Sequence, residues 1–330
     1  MTKVAPLIEA FFLEQLIQEK RASTNTVNSY KDTFCLLLKF TAKKLKKNPS
    51  EILIKDWHSI FISSFLSYLE KERKNSILTR NTRLAAIHSF FHFMAFKIPE
   101  RSHQIEQVLA IPQKKFTRNL VTFLEGYEIE SLLKVVDQRT WFGRRDFALI
   151  LLMIQTGLRV SEMVNLKMKN IHFEDRRAYI QCIGKGRKER TIPLTKQATT
   201  VLKRWINAEK LSSENLLFKS VRGGMFSRDA IEKIVKKYIL LASEICPNLK
   251  TKNISPHSLR HTCAMQLLSA DVDTSLIALY LGHESVETTQ IYLHSDLRIK
   301  EKAMEKVTPI KTKGKRYRLP DAILSFLETL

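Results

Sequence analysis

The sequence is poor in the residues that mark several classes of protein. It has four cysteines in 330 residues, too few and too scattered for a disulfide scaffold, and no two have the short spacing of a zinc site. Nine glycines and nine prolines exclude a collagen-like chain, and a hydrophobic fraction of 44% argues against intrinsic disorder. The longest apolar run, Phe147 to Ile154, is far short of the roughly 20 residues that cross a bilayer. We therefore expect a folded cytoplasmic protein with reduced thiols and no membrane span.

Acidic residues are also scarce relative to basic ones. The chain holds 33 Asp and Glu against 55 Lys and Arg, which gives a formal net charge of +22 and a pI near 9.8. Residues 1–118 hold 20 of the basic and 10 of the acidic residues, and residues 119–330 hold the other 35 and 23. Because both halves carry the excess, the composition predicts a polyanionic partner, such as a nucleic acid duplex, that is held by two domains.

The first half has the apolar periodicity of helices and none of the alternation of strands. Apolar residues recur at helical spacing over about 5–19, 26–45, 57–72 and 80–96. Pro99 and Pro112 then bracket a polar stretch that ends in a basic segment without periodicity. We predict a helical domain over 1–98 and a linker over 99–119.

The second half is predicted to be helical except for one β-hairpin. Residues 178–183 and 191–194 suit two short strands, and Gly184 and Gly186 suit the turn between them. The fold class is therefore mainly α with a small β-hairpin or sheet. We predict a second domain over 120–308 and a C-terminal tail over 309–330, whose last ten residues form a short apolar-faced helix. Such a helix is too short to be stable alone, so it docks either in the same chain or on a second copy.

Four short segments contain residues that can carry chemistry. In Ser255-Pro256-His257-Ser258-Leu259-Arg260-His261, the serine and proline start a helix, so His257 and Arg260 share its N-terminal face, where an anion is favoured. A capped helix with a solvated arginine is the alternative. Metal binding by His257 and His261 would need a third ligand that the sequence does not offer, so no metal site is predicted.

Arg159 follows Gly157 in the segment Thr156-Gly157-Leu158-Arg159-Val160-Ser161-Glu162. Gly157 is a natural helix C-cap, so the arginine lies in a tight connection where the backbone fixes it. A guanidinium held in this way can donate to two phosphate oxygens. The alternative is a structural arginine that pairs with Glu162.

The hairpin tip and a later helix bend supply the other candidates. Two glycines flank Lys185 at the tip, which can bring its ammonium group into a narrow groove. Leu281-Gly282-His283-Glu284-Ser285 places His283 in a bend between helices, and Tyr292, taken alone, has the features of a packing residue. The residues predicted to contact a phosphate backbone from the tip are Arg187, Lys188 and Arg190.

Taken in order, these segments and the tyrosine nine residues after His283 strongly resemble the tyrosine recombinases of the phage integrase family, and most closely its Xer-like branch. The resemblance implies a helical core-binding, SAM-like domain and a mixed α/β catalytic domain that form a clamp around double-stranded DNA. It also implies six catalytic residues: Arg159, Lys185, His257, Arg260, His283 and Tyr292.

The family resemblance implies a site-specific recombinase or integrase that acts as a tetramer on two paired sites. Tyr292 would attack a phosphodiester and form a 3′-phosphotyrosine, with no metal, ATP or other cofactor. Arg159 and Arg260 would neutralise the phosphate, and Lys185 would protonate the leaving 5′ oxygen. His257 would accept the proton of Tyr292 or hold it, and His283 would bind the phosphate or orient the tyrosine.

Several questions stay open at the level of the sequence. A noncatalytic DNA-binding relative and a type IB topoisomerase are the alternative functions. The biological task, whether in a mobile element or a chromosome, and the need for a second recombinase or a directionality protein are not encoded in these motifs. Arg80 and Arg83, near a basic run at 71–74, are candidate DNA contacts of the first domain, with a solvated basic face as the alternative.

Overall fold

The computed structural model describes residues 2–116, 121–175, 177–184, 189–283 and 287–293. The chain divides into two units, Met1–Arg118 and Asn119–Leu330. The described part is mainly helical, with one three-stranded sheet in the second unit. These features confirm the predicted fold class. Within the described residues, no helix has the length and apolarity needed to span a bilayer.

The first unit consists of helices joined by short turns. The first helix widens into a π-helix over Phe11–Glu19, and the second begins where the Ser23 hydroxyl accepts a hydrogen bond from the Thr26 amide. Each stretch with predicted helical periodicity is helical in the structure. The helices of this unit are α1 (Val4–Ala10), α2 (Thr24–Leu45), α3 (Ser59–Lys71), α4 (Ile77–Lys97) and α5 (Ser102–Leu109).

Aromatic side chains fill the centre of the first unit. The Phe90 ring of α4 lies 5.2 Å from Phe34 and 5.4 Å from Phe11 between centroids, and 6.0 Å from Trp57. The buried indole of Trp57 donates a 3.0 Å hydrogen bond to the Thr41 hydroxyl, so its polar group is satisfied inside this core.

The structure differs from the prediction over 99–119, the range assigned to a linker. Pro99 starts a 3₁₀ turn that leads directly into α5, so here the proline marks a helix start. Ile105 and Val108 of α5 are buried in the core of the first unit. The side-chain amide of Gln104 also donates to the carbonyl of Ile54 at 2.6 Å, which fixes α5 against the preceding turns.

The second unit is built around α7 (Trp141–Thr156), whose apolar residues are buried on nearly every side. This helix packs against α9 and α11. The other helices of the unit are α6 (Gly126–Lys134), α8 (Val160–Val164), α9 (Lys196–Glu209), α10 (Arg228–Ile245), α11 (Pro256–Ser269), α12 (Thr274–Leu281) and α13 (Glu287–Leu293).

An antiparallel sheet with strand order β1-β2-β3 completes the second unit. Its strands are β1 (Ile171–Phe173), β2 (Ala178–Ile183) and β3 (Glu189–Pro193). The predicted hairpin is thus confirmed, with its second strand beginning two residues earlier than expected. The sequence did not predict β1, because three residues are too few to show an alternating pattern. Opposite Cys182 in the register lies Arg190, which places this arginine on the buried face of the sheet.

Candidate active site

Two helix ends meet at the candidate active site. Helix α7 ends at Gly157 and helix α12 ends at Gly282, and both glycines have positive φ angles, of 59° and 66°. A Cβ atom at Gly157 would lie 2.5 Å from a methyl carbon of Leu281, so the two helix ends are in direct contact. Carbonyl groups at both ends remain available to accept hydrogen bonds from side chains.

Arg260 joins these two helix ends. Helix α11 starts at Pro256, where the hydroxyl of Ser255 caps the first turn, and Arg260 lies one turn further along. Its guanidinium donates to the carbonyls of Gly157 and Leu281, each at 2.6 Å. Burial, with the nearby charge of Arg159, lowers the pKa of Arg260 to about 10, so the side chain is still charged at neutral pH.

Arg159 reaches the same place from the start of α8. Its Nη1 donates to Oε1 of Glu162 at 3.0 Å, and its Nη2 donates to the carbonyl of Gly282 at 2.7 Å. Arg159 therefore pairs with Glu162, which was the alternative interpretation of the sequence, and it also lies near Arg260. About a quarter of the side chain is exposed, so Arg159 is accessible to an incoming anion.

Arg190 does not lie free at the hairpin tip, where the sequence predicted that it would contact a phosphate backbone. Both of its Nη atoms donate to the carboxylate of Glu162, at 2.9 and 2.7 Å, and its side chain is only 8% exposed. The physical reason is the two-residue period of β3, in which Arg190 shares the inward face with the buried Ile192. Arg190 thus fixes the carboxylate that holds Arg159.

The hydroxyl group of Tyr292 has an unexpected partner. It lies 2.9 Å from Nδ1 of His261, and the two ring centroids are 5.5 Å apart. His257, the residue expected to hold the tyrosine, is exposed and contacts His261 with a centroid distance of 4.2 Å. The sequence raised His261 only as a metal ligand, because no local spacing relates α11 to α13. Burial raises the pKa of Tyr292 to about 12.

His283 lies in the bend after Gly282, as the sequence predicted. Its Nδ1 is 2.8 Å from the hydroxyl of Thr289, and its ring stacks on that of Tyr292 with centroids 6.4 Å apart. Burial and the charges of Arg260 and Arg159 lower the pKa of His283 to about 4. Partial burial and the same two arginines lower the pKa of His257. Neutral imidazoles therefore accompany two charged guanidiniums.

Arg80 of the first unit does not form a free basic surface. It is buried, and its Nη1 donates to the side chain of Asn81 and to the carbonyl of Pro112, each at 3.0 Å. This correction follows from α4, in which residue 80 continues the core stripe of Leu84 and Ile87 at helical spacing.

Arg83, three residues further along α4, lines a polar cleft of about 460 Å³. Its Nε and Nη1 atoms are buried and have no hydrogen-bond partner among the residues that the structure describes. Burial and the charge of Arg73 lower the pKa of Arg83. The other polar residues that line this cleft at the starts of α2 and α4 include Asn25, Asn28, Ser29, Asp32 and Thr79.

Three predicted residues of the hairpin tip, Lys185, Arg187 and Lys188, lie outside the described residues, as does the tail beyond 293. The described site therefore contains five of the six residues expected to be catalytic. The guanidiniums of Arg159 and Arg260 lie at the ends of α7 and α12, near the imidazoles of His257 and His283. The buried ring of Tyr292 stacks on that of His283. This set of groups can bind a phosphate and supply an oxygen nucleophile.

Comparison with known proteins supports the same assignment. The model of the phage integrase family matches residues 122–298, and that of the phage integrase N-terminal SAM-like domain matches residues 10–96. The integrase/recombinase y4rC of Sinorhizobium fredii is 47% identical, with an alignment that spans all of both chains. Tyrosine recombinase XerD of Listeria innocua is 33% identical over 88% of this chain and 95% of the relative.

Solved structures share the fold at lower identity. The XerH site-specific recombinase in a post-cleavage complex with palindromic difH substrate has a TM-score of 0.70 and 24% identity, over 87% of this chain and 81% of that one. The Tn1549 transposon integrase in complex with circular intermediate DNA has a TM-score of 0.69 and 18% identity, over 93% of this chain and 100% of that one.

Proposed function

The chain belongs to the phage integrase family and is a site-specific tyrosine recombinase of Xer-like type, and we propose that it cuts and rejoins double-stranded DNA through Tyr292. One observation carries this proposal. Arg159, Arg260, His283 and Tyr292 come from four different segments, yet they converge on the ends of α7 and α12. If these residues had only structural roles, they would not need to lie together around the accessible guanidinium of Arg159.

The two arginines bind the scissile phosphate. Each donates to backbone carbonyls through one or two of its five N–H groups, so other donors remain for nonbridging oxygens. The carbonyl contacts fix both guanidiniums before DNA arrives, which limits the reorganisation needed in the reaction. Their charges neutralise the additional negative charge of the pentavalent transition state. Arg159, whose side chain is about a quarter exposed, makes the first contact with the phosphate.

Tyr292 supplies the nucleophile. A bond forms between its phenol oxygen and phosphorus, the bond from phosphorus to the 5′ oxygen breaks, and a 3′-phosphotyrosine remains. The phenol proton passes to His257 once the tyrosine has left His261, and Lys185 donates a proton to the leaving 5′ oxygen. His283 uses the ring nitrogen that is free of Thr289 to bind the phosphate. A 5′ hydroxyl of the partner duplex then attacks the phosphotyrosine and restores Tyr292.

The phosphotyrosine conserves the energy of the original bond, so the exchange requires no ATP. We propose that two paired DNA sites are held by four copies of the chain, each with its two units on one duplex in the manner of a clamp. The basic excess of both units supports this arrangement. Tail 309–330 docks on a neighbouring copy. The enzyme acts on cytoplasmic DNA as part of a mobile element, with a second recombinase or a directionality protein as a further partner.

The experiment that tests this proposal is covalent trapping. The purified chain is incubated with a DNA library, DNA that stays attached through denaturation is sequenced, and the site found is built into a nicked suicide duplex. Wild type and Tyr280→Phe should both form covalent complexes. Tyr292→Phe should bind the same duplex with unchanged affinity but form none, because it lacks the attacking oxygen.

Tyr280 is the matched control because its hydroxyl donates to the carbonyl of Gln155 in the same unit. Trapping by Tyr292→Phe would refute the assignment of the nucleophile. Relaxation of supercoiled plasmid without any preferred site would favour a type IB topoisomerase, and binding without cleavage by wild type would favour a noncatalytic relative.

A further inference from the structure

In this structure the nucleophile of the proposed reaction is stored away from solvent. Tyr292 is only 2% exposed and belongs to an apolar cluster with Met265, Ile277 and Leu281. A phosphate on the protein surface cannot reach an oxygen that is buried in this way. Tyr292 must therefore move before it can attack, and the contacts that hold it determine when it does so.

A single side chain satisfies the tyrosine hydroxyl. Among the described residues, the hydrogen bond with Nδ1 of His261, 2.9 Å long, is the polar contact of this hydroxyl. Burying a hydroxyl group without a hydrogen-bond partner costs free energy, and the hydrogen bond with His261 offsets this cost for Tyr292. The apolar cluster contributes burial to this position, but it offers no second acceptor.

The surroundings of His261 favour its neutral form. His257 contacts its ring, and Arg260 and His283 lie close enough to oppose a positive charge. Burial, followed by these neighbours, lowers the pKa of His261 to about 3, whereas burial raises that of Tyr292 to about 12. Both groups are thus neutral across the physiological range, and their hydrogen bond does not depend on pH there. A nitrogen with so low a pKa is a poor base for the phenol proton.

The helix that carries Tyr292 depends on this contact. Helix α13 has seven residues, too few to be stable without tertiary contacts. Besides the bond from Tyr292 to His261, it is held by the bond from Thr289 to His283, and Thr289 is fully buried. Two imidazoles, one from α11 and one from the bend after α12, therefore fix α13 to the rest of the unit.

We infer that His261 is a positioning residue that retains Tyr292 in its stored position until DNA binds. The inference rests on the proposed role of Tyr292 as the nucleophile. In this scheme a phosphate that binds Arg159 and Arg260 offers the phenol a new partner, and the hydroxyl leaves His261 for the phosphorus. His261 thereby keeps Tyr292 buried in the absence of DNA and takes no part in the chemical step.

Nitration with tetranitromethane tests this inference on the full chain without DNA. The reagent modifies accessible phenols, and peptide mass spectrometry reports each tyrosine separately. His261→Phe keeps a ring against His257 but removes the hydrogen bond, whereas His261→Asn keeps a polar atom near the position of Nδ1. We expect Tyr292 to be nitrated roughly tenfold faster in His261→Phe than in wild type, and His261→Asn to restore most of the protection.

Two other tyrosines serve as internal controls. Tyr127 is half exposed and should react equally in all variants, whereas the buried Tyr238, which donates to Asp146, should stay protected wherever the unit is folded. If Tyr238 reacts in His261→Phe, His261→Leu replaces it as the variant without the hydrogen bond.

Equal nitration of Tyr292 in wild type and in the folded variant without the hydrogen bond would overturn the inference. The inference would also be overturned if Tyr292 were nitrated as fast in His261→Asn as in the variant without the hydrogen bond. Packing alone would then explain the protection of Tyr292 in wild type. Rapid nitration of Tyr292 in wild type would show that it is not stored. Since this measurement involves no cleavage, it gives its answer even if the trapping experiment refutes Tyr292 as the nucleophile.

Discussion

At the scale of single residues, Glu162 determines the geometry of the arginine site. Its carboxylate accepts hydrogen bonds from the backbone amide and Nη1 of Arg159 and from both Nη atoms of Arg190. Burial alone would raise the pKa of this carboxyl group, but the hydrogen bonds from Arg190 and Arg159 outweigh burial and lower it. The charge of Glu162 is therefore part of the folded structure at neutral pH.

We expect Glu162→Gln to destabilise the second unit by about 2 kcal/mol at pH 7, because the guanidiniums of Arg159 and Arg190 lose their buried anionic partner. The folded pKa lies below the unfolded one, so the stability that the carboxylate contributes is complete above the ordinary pKa of 4.5 and is lost as the pH falls through the lower folded pKa. The difference between wild type and variant should accordingly shrink under acidic conditions. Calorimetric unfolding at a series of pH values measures it.

Glu214→Gln is the control for this measurement. Glu214 pairs with Lys167 and Lys169, but all three side chains are largely exposed, so its loss should change little. An equal loss of stability in both variants, or a difference for Glu162→Gln that does not vary with pH, would contradict the role given to the buried carboxylate.

The sequence located most of the site but not the contacts inside it. Arg159, Arg260, His283 and Tyr292 stand in segments whose order along the chain is informative without any coordinates. The partner of Tyr292 could not be found in this way, because α11 and α13 meet only through tertiary packing. The inward position of Arg190, by contrast, was available from the alternation with Ile192 in its strand.

At the scale of elements, helix α4 places two arginines that are three residues apart in different surroundings. Arg80 follows the stripe that faces the core and donates to the carbonyl of Pro112, whereas Arg83 lines the polar cleft at the starts of α2 and α4. Positions three apart on a helix differ by about 60° around its axis, which suffices to place them in different surroundings. Arg80 thus holds the segment after α5, whereas Arg83 lies in the wall of the cleft.

We expect Arg83→Ala to weaken binding to duplex DNA and to reduce the slope of log affinity against log salt by about one, because one phosphate contact is lost. Arg80→Ala should lower the thermal stability of the first unit, because Arg80 holds the segment after α5. Fluorescence anisotropy over a salt series, with calorimetry on the same preparations, measures both. A salt slope that Arg83→Ala leaves unchanged would remove Arg83 from the DNA surface.

Most helices and strands could be predicted from the local sequence pattern, and those that could not are missed for a physical reason. Helices α10, α11 and α12 lie in the part of the second half that the sequence predicted to be helical. Helix α5 was assigned to a linker because its eight residues are mostly polar and lie between Pro99 and Pro112. Its apolar residues Ile105, Val108 and Leu109 pack against the core of the first unit, but they span little more than one helical turn, which is too short a pattern to establish a helix from the sequence.

At the scale of the whole molecule, the basic excess of the chain does not include residues 316–330. Both units carry an excess of basic residues, whereas residues 316–330 contain two arginines and two carboxylates and so have no formal net charge. The long-range attraction to DNA, which depends on net charge, therefore does not require this end of the tail. Its apolar residues fit a role in contact between copies.

We expect deletion of 316–330 to leave affinity for a single duplex and its salt dependence unchanged, but to impair assembly on paired sites. The control is the full chain with Leu324 and Leu327 replaced by serine, which keeps the length and the charge but removes part of the apolar stripe. Sedimentation velocity with one and with two duplexes measures both states. Normal pairing of sites by both variants would eliminate docking of the tail on a neighbouring copy.

The two glycines that end α7 and α12 impose a limit on how this enzyme can evolve. Each has a left-handed backbone and offers its carbonyl to one of the two arginines, and an added methyl group would collide with Leu281 in one case and Arg190 in the other. In a library of randomly mutated genes selected for DNA exchange, codons 157 and 282 should accumulate only synonymous changes. New DNA specificities would then arise around these two positions while the positions themselves stay fixed.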